Sequence, residues 1–120
     1  MTPAIPKPPP RKLERQRKRR HDVQWVKSVR QQVFERDGGC RACQFLGTDP
    51  DMMFDLHMHE LIYRSKTRGK PIKERVNTMI CVMLCARCHR EVHEKRLSVH
   101  VADVKRGADG RLMFKQWGGD

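Results

Sequence analysis

The sequence predicts an α+β chain folded around a four-cysteine metal site, with a basic helix ahead of that core and a β-hairpin behind it. Three observations predict this. The spacing Cys-x-x-Cys occurs twice, as Cys40-Arg-Ala-Cys43 and Cys85-Ala-Arg-Cys88. Between the two pairs, Phe54, Leu56 and Met58 alternate with Asp55, His57 and His59, the period of a strand with one apolar face. Helical periodicity precedes the first pair and follows the second.

Taken in order, residues 1–10 hold five of the prolines and one charged side chain, Lys7, so a helix is excluded there and a disordered, polyproline-like tail is expected. Arg11, Lys12, Arg15, Arg17, Lys18, Arg19 and Arg20 then form a basic block opposed by Glu14 alone. Blocks of like charge stay solvated and often serve as nucleic-acid-binding arms; a solubilising tail is the plainer alternative. A helix is expected over 22–35, with Val23, Val26, Val29 and Val33 at steps of three or four and Phe34 widening the stripe. Asp37-Gly38-Gly39 supplies its stop. Residues 46–53 read as a loop, 54–62 as a strand, 64–78 as a basic, turn-rich connection, 79–84 as a second strand and 86–97 as a second helix. Apolar alternation on both sides of Gly107-Ala108-Asp109-Gly110 predicts a hairpin. The organisation is therefore a Pro-rich and then basic arm over 1–21, a domain over 22–97 and a hairpin extension over 98–120.

A chain of 120 residues builds one small core, and such cores often depend on a metal or on disulfides. With 38% apolar and 33% charged residues it is too polar for a large core and too apolar for full disorder. The net charge of +12 implies a polyanionic partner, nucleic acid before an anionic membrane surface. No apolar run approaches the ~18 residues of a membrane span, and the first residues lack a signal-peptide core, so a cytosolic location is expected.

In a reducing compartment paired cysteines serve metals more often than disulfides. Two knuckles suit one tetrahedral zinc site made of Cys40, Cys43, Cys85 and Cys88. Cys-x-x-Cys also serves thiol exchange, but that motif normally occurs once, inside an α/β fold with a good core. Cys81 has no partner at that spacing and reads as a buried apolar residue. The histidines make a second constellation. His57 and His59 share a strand face, and His89 and His93, four apart on a helix, share another side. An i, i+4 pair is a common way to offer two imidazoles to a metal. His21 and His100 are given no role in chemistry.

The string from Val33 through Cys43, the strand bearing His59, and Leu84-Cys85-Ala86-Arg87-Cys88-His89-Arg90-Glu91-Val92-His93 together resemble an HNH endonuclease over about residues 29–97. The length and basic character are also similar to the small HNH proteins of bacteriophages that assist DNA packaging. The resemblance implies a ββα-metal core, with structural Zn2+ at the base and one catalytic divalent metal, Mg2+ or Mn2+ or another. It implies hydrolysis of DNA phosphodiesters to leave 5′-phosphate ends in a bacterial or phage-infected cell, possible assembly with a packaging complex, and no membrane partner. Under it, His59 is the general base, His89 and His93 are metal ligands, and Asn77 is the central asparagine that holds the loop. Met58 stands where the family places a metal ligand, which leaves His57 or Glu60 to substitute, strand geometry favouring His57. Arg64 and Arg68 suit phosphate contact by charge, as do Arg11, Lys12, Arg17, Lys18, Arg19 and Arg20. The competing expectations are a non-catalytic zinc module of the same fold and a zinc-ribbon-like RNA binder.

Overall fold

The computed structural model describes residues 11–50, 55–62, 66 and 68–117. The fold is mixed α+β, with a long helix, short helices and two separate two-stranded antiparallel sheets. The Pro-rich segment 1–10 lies outside the described residues.

Helix α1 runs Arg11–Asp37, beginning well before the expected residue 22. The basic block is thus its first three turns, every residue of it exposed. Arg, Lys, Leu, Glu and Gln are all good helix formers, so an apolar stripe is not needed to make those turns helical. The stripe itself is narrower than its periodicity suggests. Val29 and Val33 are buried, whereas Val23 and Phe34 are 53% and 51% exposed. After Gly38 and Gly39, both at positive φ, helix α2 runs Arg41–Leu46 with Cys40 as its N-cap, so the first knuckle opens a short helix that the sequence reading passes over.

Strand β1 is Leu56–Glu60 and pairs with β2, Cys81–Cys85, in the register His57↔Leu84, Met58↔Met83 and His59↔Val82. Both strands are shorter than expected. Residues 78–80 form a turn instead, in which the Asn77 side-chain oxygen accepts the Met79 N–H at 3.0 Å. A short helix α3, Ile72–Arg75, begins after Pro71 within the basic connection. Helix α4, Ala86–His93, starts directly from Cys85 and stops at His93 rather than Leu97. Lys95 takes the left-handed conformation (φ 62°), and Leu97 opens β3. Strands β3, Leu97–Val101, and β4, Leu112–Gln116, form the expected C-terminal hairpin, joined through a 3-10 turn at Gly107–Asp109.

Strand β2 is buried along its whole length, and its residues alternate between two cores. Cys81 and Met83 face α1, meeting Val29, Val33 and Val76. Val82 and Leu84 face the cysteines, Leu97, Leu112 and Phe114. Strand β1 is covered differently: Leu56 and Met58 pack toward α1 and leave the intervening histidines to the opposite side, where α4 lies.

One carboxylate joins these layers. The Asp37 side chain, 1% exposed, accepts from Arg36 Nε (2.7 Å), Arg36 Nη2 (3.1 Å) and the Met83 backbone N–H (2.9 Å), with Arg41 Nη1 at 3.5 Å. Arg36 also donates to the carbonyls of Thr78 and Cys81 and to Asp109, and Arg41 to those of Ala108 and Gly110. Helix α1, strand β2 and the 107–110 turn are thereby tied at one point. Gly107 lets that turn approach: at φ +55° a Cβ would stand 2.4 Å from the Met79 carbonyl oxygen, which accepts the Ala108 N–H.

Candidate metal centres

The four knuckle cysteines come together as the spacing requires. Their sulfurs lie within 4.8 Å of one another, and all four residues are buried. Cys43 Sγ stands 3.9 Å from Cys85 Sγ and 3.6 Å from Cys88 Sγ. A tetrahedron with Zn–S bonds of ~2.3 Å has edges of roughly 3.8 Å, so the cluster already has the dimensions of a zinc site. Charge leads to the same conclusion. Burial pushes the Cys40 thiol up to about 11, and burial followed by the Cys40 charge pushes Cys88 up as well. The buried thiols therefore stay protonated until a cation such as zinc displaces their protons and offsets the repulsion between the thiolates. Arg87, in the second knuckle, adds a positive group: its Nη2 lies 3.5 Å from Cys43 Sγ and donates to the Asp49 carbonyl. This cluster can hold a metal ion such as zinc. Cys81 faces the other core, its thiol raised to about 11 chiefly by burial, in keeping with a packing role.

The histidines form a second group on the α4 side of β1. His59, His89 and His93 bring ring nitrogens within 4.8 Å of one another. The Nε2 atoms of His89 and His93 are 3.0 Å apart, and both rings meet His59 edge-on, at centroid distances of 5.3 and 5.6 Å. Bonds of ~2.0–2.1 Å to one ion give nitrogen separations of roughly 3.0 Å for adjacent octahedral positions and 3.3 Å for tetrahedral ones. The 3.0 Å between His89 and His93 fits the first, and His59 stands within 4.8 Å of both. Burial, and then the neighbouring His89 and His93, lower the His59 pKa to about 4, and burial with His93 and His57 lowers that of His89. At neutral pH these two rings therefore offer lone pairs rather than positive charge.

His57 does not join that trio. Its ring stacks on His89 at 5.1 Å, and its Nε2 is 2.9 Å from the Asp55 carboxylate, which braces it beside the group. Glu60 lines the same groove as His59. Asn77 bridges α3 and the next turn, its Nδ2 donating to the Lys73 carbonyl and its Oδ1 accepting from Met79. Ile80, in that turn, accepts the Leu61 N–H at 2.7 Å just beyond β1. Asn77 thus reaches the histidine strand through the backbone. Among the basic candidates, Arg11, Lys12, Arg17, Lys18, Arg19 and Arg20 are exposed on α1, and Arg68 is exposed in a turn. Arg64 lies outside the described residues.

The trio opens into a groove of about 870 Å³ whose lining also includes Lys95, Ser98 and His100. Sequence reasoning gave these three no role, because only the docking of the hairpin against α4 carries them there. It also missed Asp37 as the anchor of β2, since Asp-Gly-Gly reads simply as a helix stop; Arg36 preceding a buried acid was the available signal.

In comparison with known proteins, the chain matches no family model, no curated protein and no solved structure. Among the described residues no helix is long and apolar enough to cross a membrane.

Proposed function

We propose that this chain is a metal-dependent endonuclease of the HNH type that hydrolyses DNA phosphodiester bonds. One observation carries the proposal: His59 on β1 converges with His89 and His93 on α4, on the open side of a strand–strand–helix unit pinned by the cysteine cluster. The contrast in burial supports two different tasks. A closed site with four sulfur donors suits structural zinc, whereas the two imidazoles of His89 and His93 would leave positions on a cation for substrate, with His59 beside them.

In this reading His89 and His93 would hold a divalent cation such as Mg2+ or Mn2+, and His59 is the general base, as the resemblance to HNH endonucleases implies. When bound, the cation stabilises charge on the scissile phosphate and on the leaving oxygen. His59, neutral at working pH, takes the proton of the attacking water as the new P–O bond forms and the bond to the 3′ oxygen breaks. A ring with a pKa of about 4 is a weak acceptor by itself. The anionic phosphate of a bound strand would push it upward, against burial and the neighbouring positive charges, because a nearby negative charge favours imidazolium. Asn77 keeps the loop behind β1 in place, and the basic turns of α1 supply sequence-independent affinity for the DNA backbone, a partner fitting a net charge of +12.

The test is nicking of supercoiled plasmid with Mg2+, Mn2+ or Ni2+, with and without EDTA. Cutting should need metal and fall ~10²–10⁴-fold in His59→Ala while DNA binding persists. A second reading, a non-catalytic zinc-stapled nucleic-acid-binding module, is favoured by Met58, since a thioether is a poor ligand for hard cations. Absence of cutting with every metal, in folded protein that binds DNA, would select it.

A further inference from the structure

Beyond the histidine groove, the outer face of the C-terminal hairpin carries an arrangement that the nuclease reading does not use. In the β3–β4 register Ser98 lies opposite Lys115 and His100 opposite Met113, so all four share one face. Leu97, Leu112 and Phe114 take the other face and fill the core. Trp117 continues the outer series past the end of β4. It is 47% exposed, yet it is held: its backbone N–H donates to Arg96 O at 2.7 Å and its indole N–H donates to Ser98 Oγ. Lys115 Nζ sits 3.8 Å from the ring centroid, on one face of the indole. Ser98 and His100 also line the groove that holds His59, and the surface is continuous with Lys95 at its edge. Lys95 occupies a left-handed position that glycine fills at least cost, so a long cationic side chain stands there against backbone preference.

A fixed aromatic ring beside a cation, on a face that leads to a groove with a second cation in its lining, is the chemistry that receives an unpaired nucleic-acid strand. The ring stacks on a base and the ammonium groups meet phosphates. Paired bases offer no free face to such a ring. We propose that the outer hairpin face, with Trp117 as stacking platform and Lys95 and Lys115 as phosphate contacts, binds single-stranded or frayed DNA and leads that strand into the histidine groove. The proposal rests on the nuclease reading for the groove's purpose, but its own readout is binding.

The test uses the full chain without the catalytic metal, with a short oligothymidylate as probe and tryptophan emission as signal. Trp25 is the internal reference, since its indole is bonded to the Val76 carbonyl between α1 and α3. Oligothymidylate should quench the emission, and Trp117→Phe should abolish the quench. Trp117→Ala should weaken single-strand binding about five- to a hundredfold and leave duplex binding unchanged. Lys95→Gly should weaken binding while melting no lower than the parent, because glycine suits the left-handed position. Equal single-strand affinity in Trp117→Ala, or a quench that survives Trp117→Phe, overturns the proposal and leaves the nuclease reading standing. Binding of neither single strand nor duplex overturns both.

Discussion

The Asp37 carboxylate is where a single substitution should do most damage at a distance from either metal centre. Asp37→Ala removes the acceptor for Arg36, Arg41 and the Met83 N–H together, at a site where the side chain is 1% exposed. Removing one partner of a buried ion pair costs about 3–5 kcal/mol, because the remaining charge stays desolvated. Here Arg36 keeps Asp109 and two carbonyls, and Arg41 keeps two more, which places the expected loss at the lower end, about 3 kcal/mol. Burial works against the Arg36 charge and the Asp37 and Asp109 carboxylates outweigh it, leaving the guanidinium more firmly protonated than usual. In a domain of this size ~3 kcal/mol lowers Tm by roughly 10–20 °C. Thermal melts of zinc-loaded protein at two salt concentrations are the assay. The loss should depend little on salt, since the pair is sheltered from counterions. A variant melting within about 3 °C of the parent, under 1 kcal/mol, would refute the assignment of Asp37 as the anchor of β2.

Three further outcomes are expected. Protein purified without chelator should contain one zinc held by Cys40, Cys43, Cys85 and Cys88, and Cys85→Ser should leave the domain unfolded or molten; metal analysis and near-UV dichroism decide this. Deleting residues 1–20, which removes the exposed basic turns of α1, should weaken binding to any DNA and flatten its salt dependence, read by titrations across ionic strength. Because the folded His59 pKa, about 4, lies below its ordinary 6.5, the unfolded chain takes up the proton first as pH falls. Protein prepared without added divalent metal should therefore show no His59 contribution to pH dependence above ~6.5 and should lose stability from there down to ~4, with nitrogen NMR of the imidazoles following the ring itself.

Much of the arrangement was legible because it is local. Strict alternation in β1 shows His57 and His59 on one face, since one side of that strand packs on Met83 and Val33 and the other does not. The repeated Cys-x-x-Cys shows the sulfur cluster, since the spacing is itself the geometry. Strand β2 gave only a vague signal. Buried on both faces, Cys-Val-Met-Leu-Cys has no polar residue to mark its period. The start of α1 was obscured for the opposite reason: its first turns bury nothing, and charge patterning dominates what propensity alone would assign as helix. The separation of His57 from the trio depends on Asp55, an exposed acid whose 2.9 Å contact no spacing rule anticipates. The groove wall of Lys95, Ser98 and His100 depends on how a hairpin docks, which is tertiary from the outset.

The two centres depend on one another through β2. Val82, Leu84 and Cys85 stand in the core that contains the four sulfurs, and Cys81 and Met83 in the core made by α1. Its backbone sets the register of β1, with His59 opposite Val82, while its last residue, Cys85, is both a sulfur donor and the start of the helix that presents His89 and His93. A shift at Cys85 would therefore be passed to α4, and the two halves of the histidine trio lie on β1 and α4. Loss of zinc should thus disorganise the histidine site, the more so because His89 follows Cys88 directly on α4. Restoring the second metal should not repair the first, because the trio spans only β1 and α4 and leaves α2 and the hairpin without their shared core.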